Sequence, residues 1–233
     1  MFMSTTRIET NLEKVKERIA QAALRTGRRP GDIQLVAVSK TVSVSAIQQA
    51  IKAGVTILGE NYLQEARKKI EEIGQVVRWD FIGHLQSNKA KYVVDLFDII
   101  QSVDRLSLAQ EINRLALKKG KTVKVLLQVN ISGEEAKSGI DPAEADALVR
   151  ETLSLPNLSV QGLMTMPPYF DDPEEARPYF VALRELRDTL RKEHGEYIDL
   201  KELSMGMSAD FEIAIEEGAT ILRVGTAIFG ERT

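Results

Sequence analysis

One pattern recurs along this chain and limits what it can become: a short apolar run, a polar loop, then an amphipathic helix. The apolar runs fall at 33–38, 55–58, 79–82, 96–100, 123–129, 158–164, 200–203 and 219–224. The first of them, ILE-GLN-LEU-VAL-ALA-VAL in order, is too apolar to leave one face in water, which suits a parallel strand covered on both sides. Parallel neighbours need a crossover, and the intervening segments have helical spacing. Eight such units in 233 residues predict a single (β/α)8 TIM barrel of class α/β, with an open doubly wound sheet as the alternative. No Pro/Ser/Gly-rich stretch or shift in composition divides the chain, so residues 1–233 are expected to form one domain.

An extra helix precedes the first strand. Thr6 and Glu9 form a capping-box pair, and Ile8, Leu12, Val15 and Ile19 share one face. Gly27 and Pro30 stop it. Ser45 and Gln48 suggest a second capping box, and Asp104 a cap for the helix carrying Leu108, Ile112 and Leu115. A helix is expected from about 62 to 73, ended by Gly74; Gly54, Gly120 and Gly218 close others. Asp141-Pro142 and Asp172-Pro173 each read as a cap followed by proline in the first turn, with Pro178 kinking or restarting the helix.

Composition excludes several functions. Net charge is −3 and basic residues are interleaved with acids, which gives no support to nucleic-acid binding. The absence of cysteine excludes disulfides, zinc thiolates and a cysteine nucleophile, and agrees with a reducing cytoplasm. The N-terminus lacks a signal peptide's apolar run, and no segment approaches the ~20 apolar residues of a membrane span. A soluble cytoplasmic protein without a membrane partner is expected.

A TIM barrel places its chemistry at the C-terminal strand ends. The first strand ends Val38-Ser39-Lys40. Partial desolvation there would free the lysine amine to condense with an aldehyde. Taken alone, such a lysine could equally be turning the chain toward solvent. After the seventh run comes Ser204-Met205-Gly206-Met207-Ser208, where Ser208 reads as a helix cap or an anion ligand. After the eighth comes Arg223-Val224-Gly225-Thr226, whose glycine allows close backbone approach. Loops seven and eight are the usual phosphate site of this fold. Lysine and phosphate loops together suit pyridoxal phosphate (PLP). Arg223, otherwise an ordinary salt-bridged arginine, could face the pyridine nitrogen and keep it unprotonated.

The stretches LVAVSKT (35–41), GENYLQEA (59–66), FIGHLQSNKAK (81–91), QVNISGEEAKSG (128–139), GLMTMPP (162–168), LSMGMSADFEIAI (203–215) and RVGTAIFG (223–230) make the resemblance specific. The sequence resembles the pyridoxal phosphate homeostasis protein family, also called the proline synthase co-transcribed family. Its barrel is similar to the N-terminal domain of alanine racemase. The resemblance implies Lys40 as the Schiff-base lysine, Ser208, Gly225 and Thr226 as phosphate ligands, and Arg223 facing the ring nitrogen. It puts Ser204 and Met207 along the pocket and Asn61 near the cofactor. It implies a carrier of PLP, with apo-enzymes as recipients.

The alternative is an amino-acid racemase, which needs a base on each face of the substrate. Alanine racemase takes its second base, a tyrosine, from a further domain of its partner subunit. This sequence ends at Thr233 without such a domain, and Tyr62 is the nearest substitute by motif. Glu60 and Glu134 are further conceivable bases. His84 reads as an exposed loop residue and His194 as a cation at a helix C-terminus. Neither histidine has ligand company in the sequence, so no metal is expected, and the loop at 87–91 reads as solvated. A barrel this compact is expected to be a monomer.

Overall fold

The computed structural model describes residues 6–134, 137–195 and 197–231. Residues 1–5 and 232–233, the ends of the expected domain, lie outside these, as do Glu135 and Ala136 of the 128–139 motif. The chain begins with α1 (Arg7–Arg25), then alternates: β1 (Gln34–Val38), α2 (Val44–Lys52), β2 (Ile57–Glu60), α3 (Leu63–Ile73). It continues through β3 (Arg78–Phe81), α4 (Ala90–Leu96), β4 (Ile99–Val103), α5 (Leu106–Lys118) and β5 (Val123–Gln128). The last elements are α6 (Ala145–Thr152), β6 (Leu158–Met164), α7 (Arg177–His194), β7 (Glu202–Ser204), α8 (Phe211–Glu216), β8 (Ile221–Val224) and α9 (Thr226–Phe229). All eight strands are parallel and close into a barrel, β1 pairing with both β2 and β8. The expected TIM barrel with its extra N-terminal helix is the fold.

Two apolar layers hold it. A small cluster of Val36, Ile57, Ile99, Leu126, Met164 and Ile221 fills part of the barrel interior. A larger one lies between sheet and helices, and includes Leu12, Val15 and Ile19 from α1 and Leu108, Ile112 and Leu115 from α5. The extra helix α1 packs on α8, α9 and α2, covering the seam where β8 meets β1. Its Thr6–Glu9 capping box forms in both directions. Arg18 binds Glu212 in a two-pronged pair at 2.9 and 2.6 Å, and Asn11 donates to the Ile228 carbonyl at 3.1 Å. Such bidentate pairs fix orientation as well as charge.

Several local expectations shift. Helix α2 is capped by Ser43, whose hydroxyl accepts from the Ala46 amide, and not by Ser45 with Gln48. Two serines two residues apart compete, and the one that leaves the apolar stripe inward wins. Arg105, not Asp104, precedes α5; the Asp104 carboxylate turns to the Arg105 guanidinium. Strand β4 starts later than the apolar run at 96–100, because Leu96 still belongs to α4 and Phe97 caps it. In the same way β2 and β7 lie slightly downstream of the runs at 55–58 and 200–203. Pro178 sits in the first turn of α7 and so starts that helix without kinking it. No helix among the described residues is long and apolar enough to cross a membrane.

Strands β6 and β7 meet through Gly162, paired with Glu202. A Cβ there would lie 1.9 Å from the Glu202 carbonyl oxygen, which is backbone and cannot step aside. Gly162→Ala should therefore cost on the order of 3 kcal/mol or more of unfolding free energy, measurable by urea denaturation.

Candidate functional site

The C-terminal ends of β1, β2, β7 and β8 surround a cavity of about 400 Å³ at the barrel mouth. Its lining includes Lys40, Asn61, Met207, Ser208, Arg223, Gly225 and Thr226. All the residues expected at the cofactor are thus brought together there, with one exception. Ser204 is fully buried and does not line the cavity. Its hydroxyl lies beneath Arg223, accepting from Arg223 Nη1 at 2.6 Å and donating to Gln101 Oε1 at 2.6 Å.

Arg223 is held twice, its Nη2 also donating to the Thr165 carbonyl at 2.7 Å. Burial lowers its pKa to about 10, against the pull of Asp210, so it stays cationic at neutral pH. Below it a polar chain continues through the barrel. Gln101 Nε2 donates to Asp80 Oδ2 at 2.7 Å, Arg78 grips Asp80 at 2.9 and 3.0 Å, and Arg78 Nη1 reaches Gln34 Oε1 at 2.6 Å. Burial pushes the Asp80 carboxyl up, opposed by Arg78 and by the bond from Gln101.

Across the mouth, Ser208 does not cap α8, which Asp210 precedes. Its hydroxyl instead accepts from the Gly225 and Ala227 amides, both at 3.2 Å. The turn at 204–210 is fixed by Gly206, at φ +91°, where a Cβ would meet Ala214 at 2.6 Å. Asp210 Oδ1 accepts the Met207 amide at 2.6 Å. Two amides thus converge on the Ser208 oxygen at the cavity wall and leave its O–H to donate, and Thr226 lines the same cavity, a polar set that suits a phosphate-like anion.

Lys40 follows β1 and is half-buried. The residue after it, Thr41, has φ +62°. For a β-branched residue this left-handed conformation costs roughly 1–2 kcal/mol, so its surroundings must impose it. Thr41 N–H donates to Glu65 Oε1 at 2.6 Å, and its hydroxyl to the Lys40 carbonyl at 2.6 Å. Asn61 Oδ1 is buried with no hydrogen-bond partner among the described residues, an acceptor aimed at no protein group.

The other candidates are elsewhere. Glu60 is fully buried and its Oε1 accepts from Ser39 Oγ at 2.6 Å and Lys69 Nζ at 2.7 Å. Burial raises its pKa, with Lys69 and Ser39 pulling the other way. Glu134 pairs with Lys137 at 2.8 Å in an exposed turn. Tyr62 lines a neighbouring depression with His84 and Lys89. His84 is half-exposed, 3.2 Å from Ser138 Oγ and 3.5 Å from Asp104. The 87–91 stretch is not the solvated loop expected: Ala90 and Lys91 begin α4 and Ala90 is buried against the core, while Asn88 and Lys91 are exposed. His194, against expectation, does have ligand-type company: its Nε2 lies 2.6 Å from Asp146 Oδ1, with Glu193 near. Arg150 also pairs with Asp146 and supplies positive charge there already.

Sequence reading missed Asp210, Met166, Tyr169 and Phe170, all of which line the cavity. Asp210 was hidden because a carboxylate beside a phosphate-type site looks repulsive; its task is to hold the Met207 amide. The aromatic pair had a signal: Tyr169-Phe170 follows a Pro-Pro turn where a solvated loop has no need of rings.

A family profile described as the alanine racemase N-terminal domain matches residues 6–233. A pyridoxal phosphate homeostasis protein of Aquifex aeolicus (strain VF5) is 48% identical over 222 residues, 95% of this chain and 96% of that one. The chain belongs to the pyridoxal phosphate homeostasis protein family. Among solved structures, that of PipY from Synechococcus elongatus PCC7942, with PLP bound, is 38% identical and superposes with TM-score 0.82 over 93% of this chain and 100% of its own. An alanine racemase from Corynebacterium glutamicum shares the fold at TM-score 0.74 and 18% identity, covering 97% of this chain but 61% of that one.

Burial pushes the Asp210 carboxyl above the ordinary range, although the Met207 amide and Arg223 pull it down. Unfolded, the group ionises in that ordinary range; folded, it keeps its proton to higher pH. The wild type therefore loses stability as pH rises between the two values. Asp210→Asn retains an oxygen for Met207 N–H and has no proton to lose. Urea unfolding across pH should show the variant gaining on the wild type through that window, with a constant difference above it.

Proposed function

We propose that this chain binds pyridoxal phosphate as a Schiff base on Lys40 and acts in intracellular PLP homeostasis, holding the cofactor in the cytoplasm for release to apo-enzymes. The observation that carries this reading is the arrangement within one cavity: a half-buried lysine, a buried arginine cation, and amides converging at Ser208. Bound PLP would supply an aldehyde reactive toward amines and a ring able to withdraw electrons.

The residues present fit that group. Ser208, Gly225 and Thr226 would take the phosphate. Arg223 cannot surrender its proton near neutral pH, so it would face the ring nitrogen as a donor and disfavour a second proton there. That weakens the ring as an electron sink and favours holding over carbanion chemistry. Asn61 offers its buried, unmatched oxygen to a hydroxyl donor of the ligand. Met207 supplies an apolar wall. Ser204 acts through Arg223, whose guanidinium it orients.

Lys69 is the other lysine near this strand end, and its ammonium is already bonded to Ser39, Glu60 and Glu65. Lys40 lines the cavity and Lys69 does not, which favours Lys40 as the amine that condenses. A racemase would need a second proton carrier at the cavity. Glu60 does not line the cavity, Tyr62 lines the neighbouring depression, Tyr169 at the lip is 79% exposed, and Asp210 at the cavity wall is engaged through Oδ1 by the Met207 amide. A compact single barrel of this kind would act as a monomer.

Borohydride treatment of the PLP-loaded protein should fix the cofactor on the peptide containing Lys40, as read by mass spectrometry. Lys40→Ala should lose that adduct; an unchanged adduct would overturn the assignment. Replacing Ser208 and Thr226 together by alanine removes hydrogen bonds to a charged group, each worth roughly 1.5–3 kcal/mol, so retention should weaken by about 100-fold with the fold intact. Incubation with L-alanine in deuterated water separates the two functions. Transfer of PLP to an apo-enzyme without deuterium entering Cα is the expected result; exchange with inversion would favour the racemase.

A further inference from the structure

Both peptide groups flanking Lys40 are gripped by one side chain pair from α3. Lys69 lies under the strand end with its side chain 5% exposed. It donates to the Ser39 carbonyl at 2.5 Å, Glu60 Oε1 at 2.7 Å and Glu65 Oε1 at 2.6 Å. An ammonium has three protons, so these acceptors use all of them. The same Glu65 oxygen accepts the Thr41 amide. The carbonyl before Lys40 is thus tied to Lys69 and the amide after it to Glu65, and these two are bonded to each other one helical turn apart. Glu60, the last residue of β2, completes the set by holding both Lys69 and the Ser39 hydroxyl.

A buried ion pair is not needed for stability here, since apolar residues of similar size would serve a barrel edge as well. What apolar residues could not do is hold two backbone polar groups and a left-handed threonine in place. We infer that Lys69 and Glu65 are positioning residues for the Lys40 amine: they form a clamp that fixes the direction in which its side chain leaves the strand. This rests on the reading of Lys40 as the Schiff-base lysine. The clamp leaves the phosphate cradle untouched, because its hydrogen bonds join Ser39, Thr41, Glu60, Glu65 and Lys69, whereas those of the cradle join Ser208 to Gly225 and Ala227. Its loss should therefore separate two properties that a general loosening would move together.

The discriminating ligand is pyridoxine 5′-phosphate, which keeps ring and phosphate but carries an alcohol where PLP has its aldehyde. Glu65 is partly exposed, its side chain at 27%, so Glu65→Ala should fold normally. In that variant, release of PLP should accelerate about tenfold, as expected for one lost charge-assisted contact, with a lower yield of borohydride adduct at residue 40. Affinity for pyridoxine 5′-phosphate should stay within about twofold of wild type, since the two ligands differ only at the group the lysine meets. Glu65→Gln keeps an acceptor for the Thr41 amide and should restore slow release. The inference is overturned if PLP release from Glu65→Ala matches wild type, or if pyridoxine 5′-phosphate affinity falls in parallel. If instead the wild-type protein fixes cofactor at a residue other than 40, the Lys40 assignment itself fails, and the clamp with it.

Discussion

The interior of a small parallel barrel is a place where polar groups must be fully matched or absent. This one accepts a polar chain, Gln34 to Arg78 to Asp80 to Gln101 to Ser204 to Arg223, and the rest of the site depends on its being complete. Each member is bonded to the next, so none can turn without orphaning a neighbour. The chain ends at the mouth in a cation with two fixed bonds. Removing one link would leave a buried donor or acceptor unmatched, at roughly 1–3 kcal/mol each. A cation so deeply buried can persist because its two acceptors, Ser204 Oγ and the Thr165 carbonyl, are fixed at the ends of β7 and β6.

Around that cation the mouth divides its work among strands that are neighbours in space. β1 offers the amine, β8 the arginine and the Gly225-Thr226 turn, β7 the Ser208 loop, and β2 the Glu60 and Asn61 pair. The extra helix α1 covers the β8–β1 seam, where two of these contributions meet. A helix there has an evident physical purpose. It ties α8 and α9, the short elements that follow the two anion-type loops, to a long and well-capped rod through Arg18–Glu212 and Asn11–Ile228.

Much of this was legible in the sequence, for identifiable reasons. Strands such as Val123–Gln128 are rich in β-branched and aliphatic residues, and Gly54, Gly74 and Gly120 end helices in the left-handed conformation their positions suggest. Lys40 could be placed because a strand's end can be read from where its apolar run stops. Boundaries failed where one apolar run served two elements, as at Leu96-Phe97, since packing inside a helix and inside a strand ask for the same residues. Ser208 was read as a helix cap or an anion ligand, yet its partners Gly225 and Ala227 belong to the loop after the neighbouring strand β8, and no local rule names them. The Lys69 network was invisible for the same reason. A lysine on an amphipathic helix looks solvated until the strand end beneath it is known.

The Ser208 hydroxyl has a thermodynamic consequence. Because it already gathers the Gly225 and Ala227 amides, the loop has its shape before any anion arrives. Uptake then exchanges one set of hydrogen bonds for another and orders almost nothing, and the entropic toll that flexible loops levy on their ligands is largely absent. The same economy would run in reverse: with Lys40 holding the ligand as proposed, departure would wait on that bond and not on the melting of a loop that the Ser208 hydroxyl already holds.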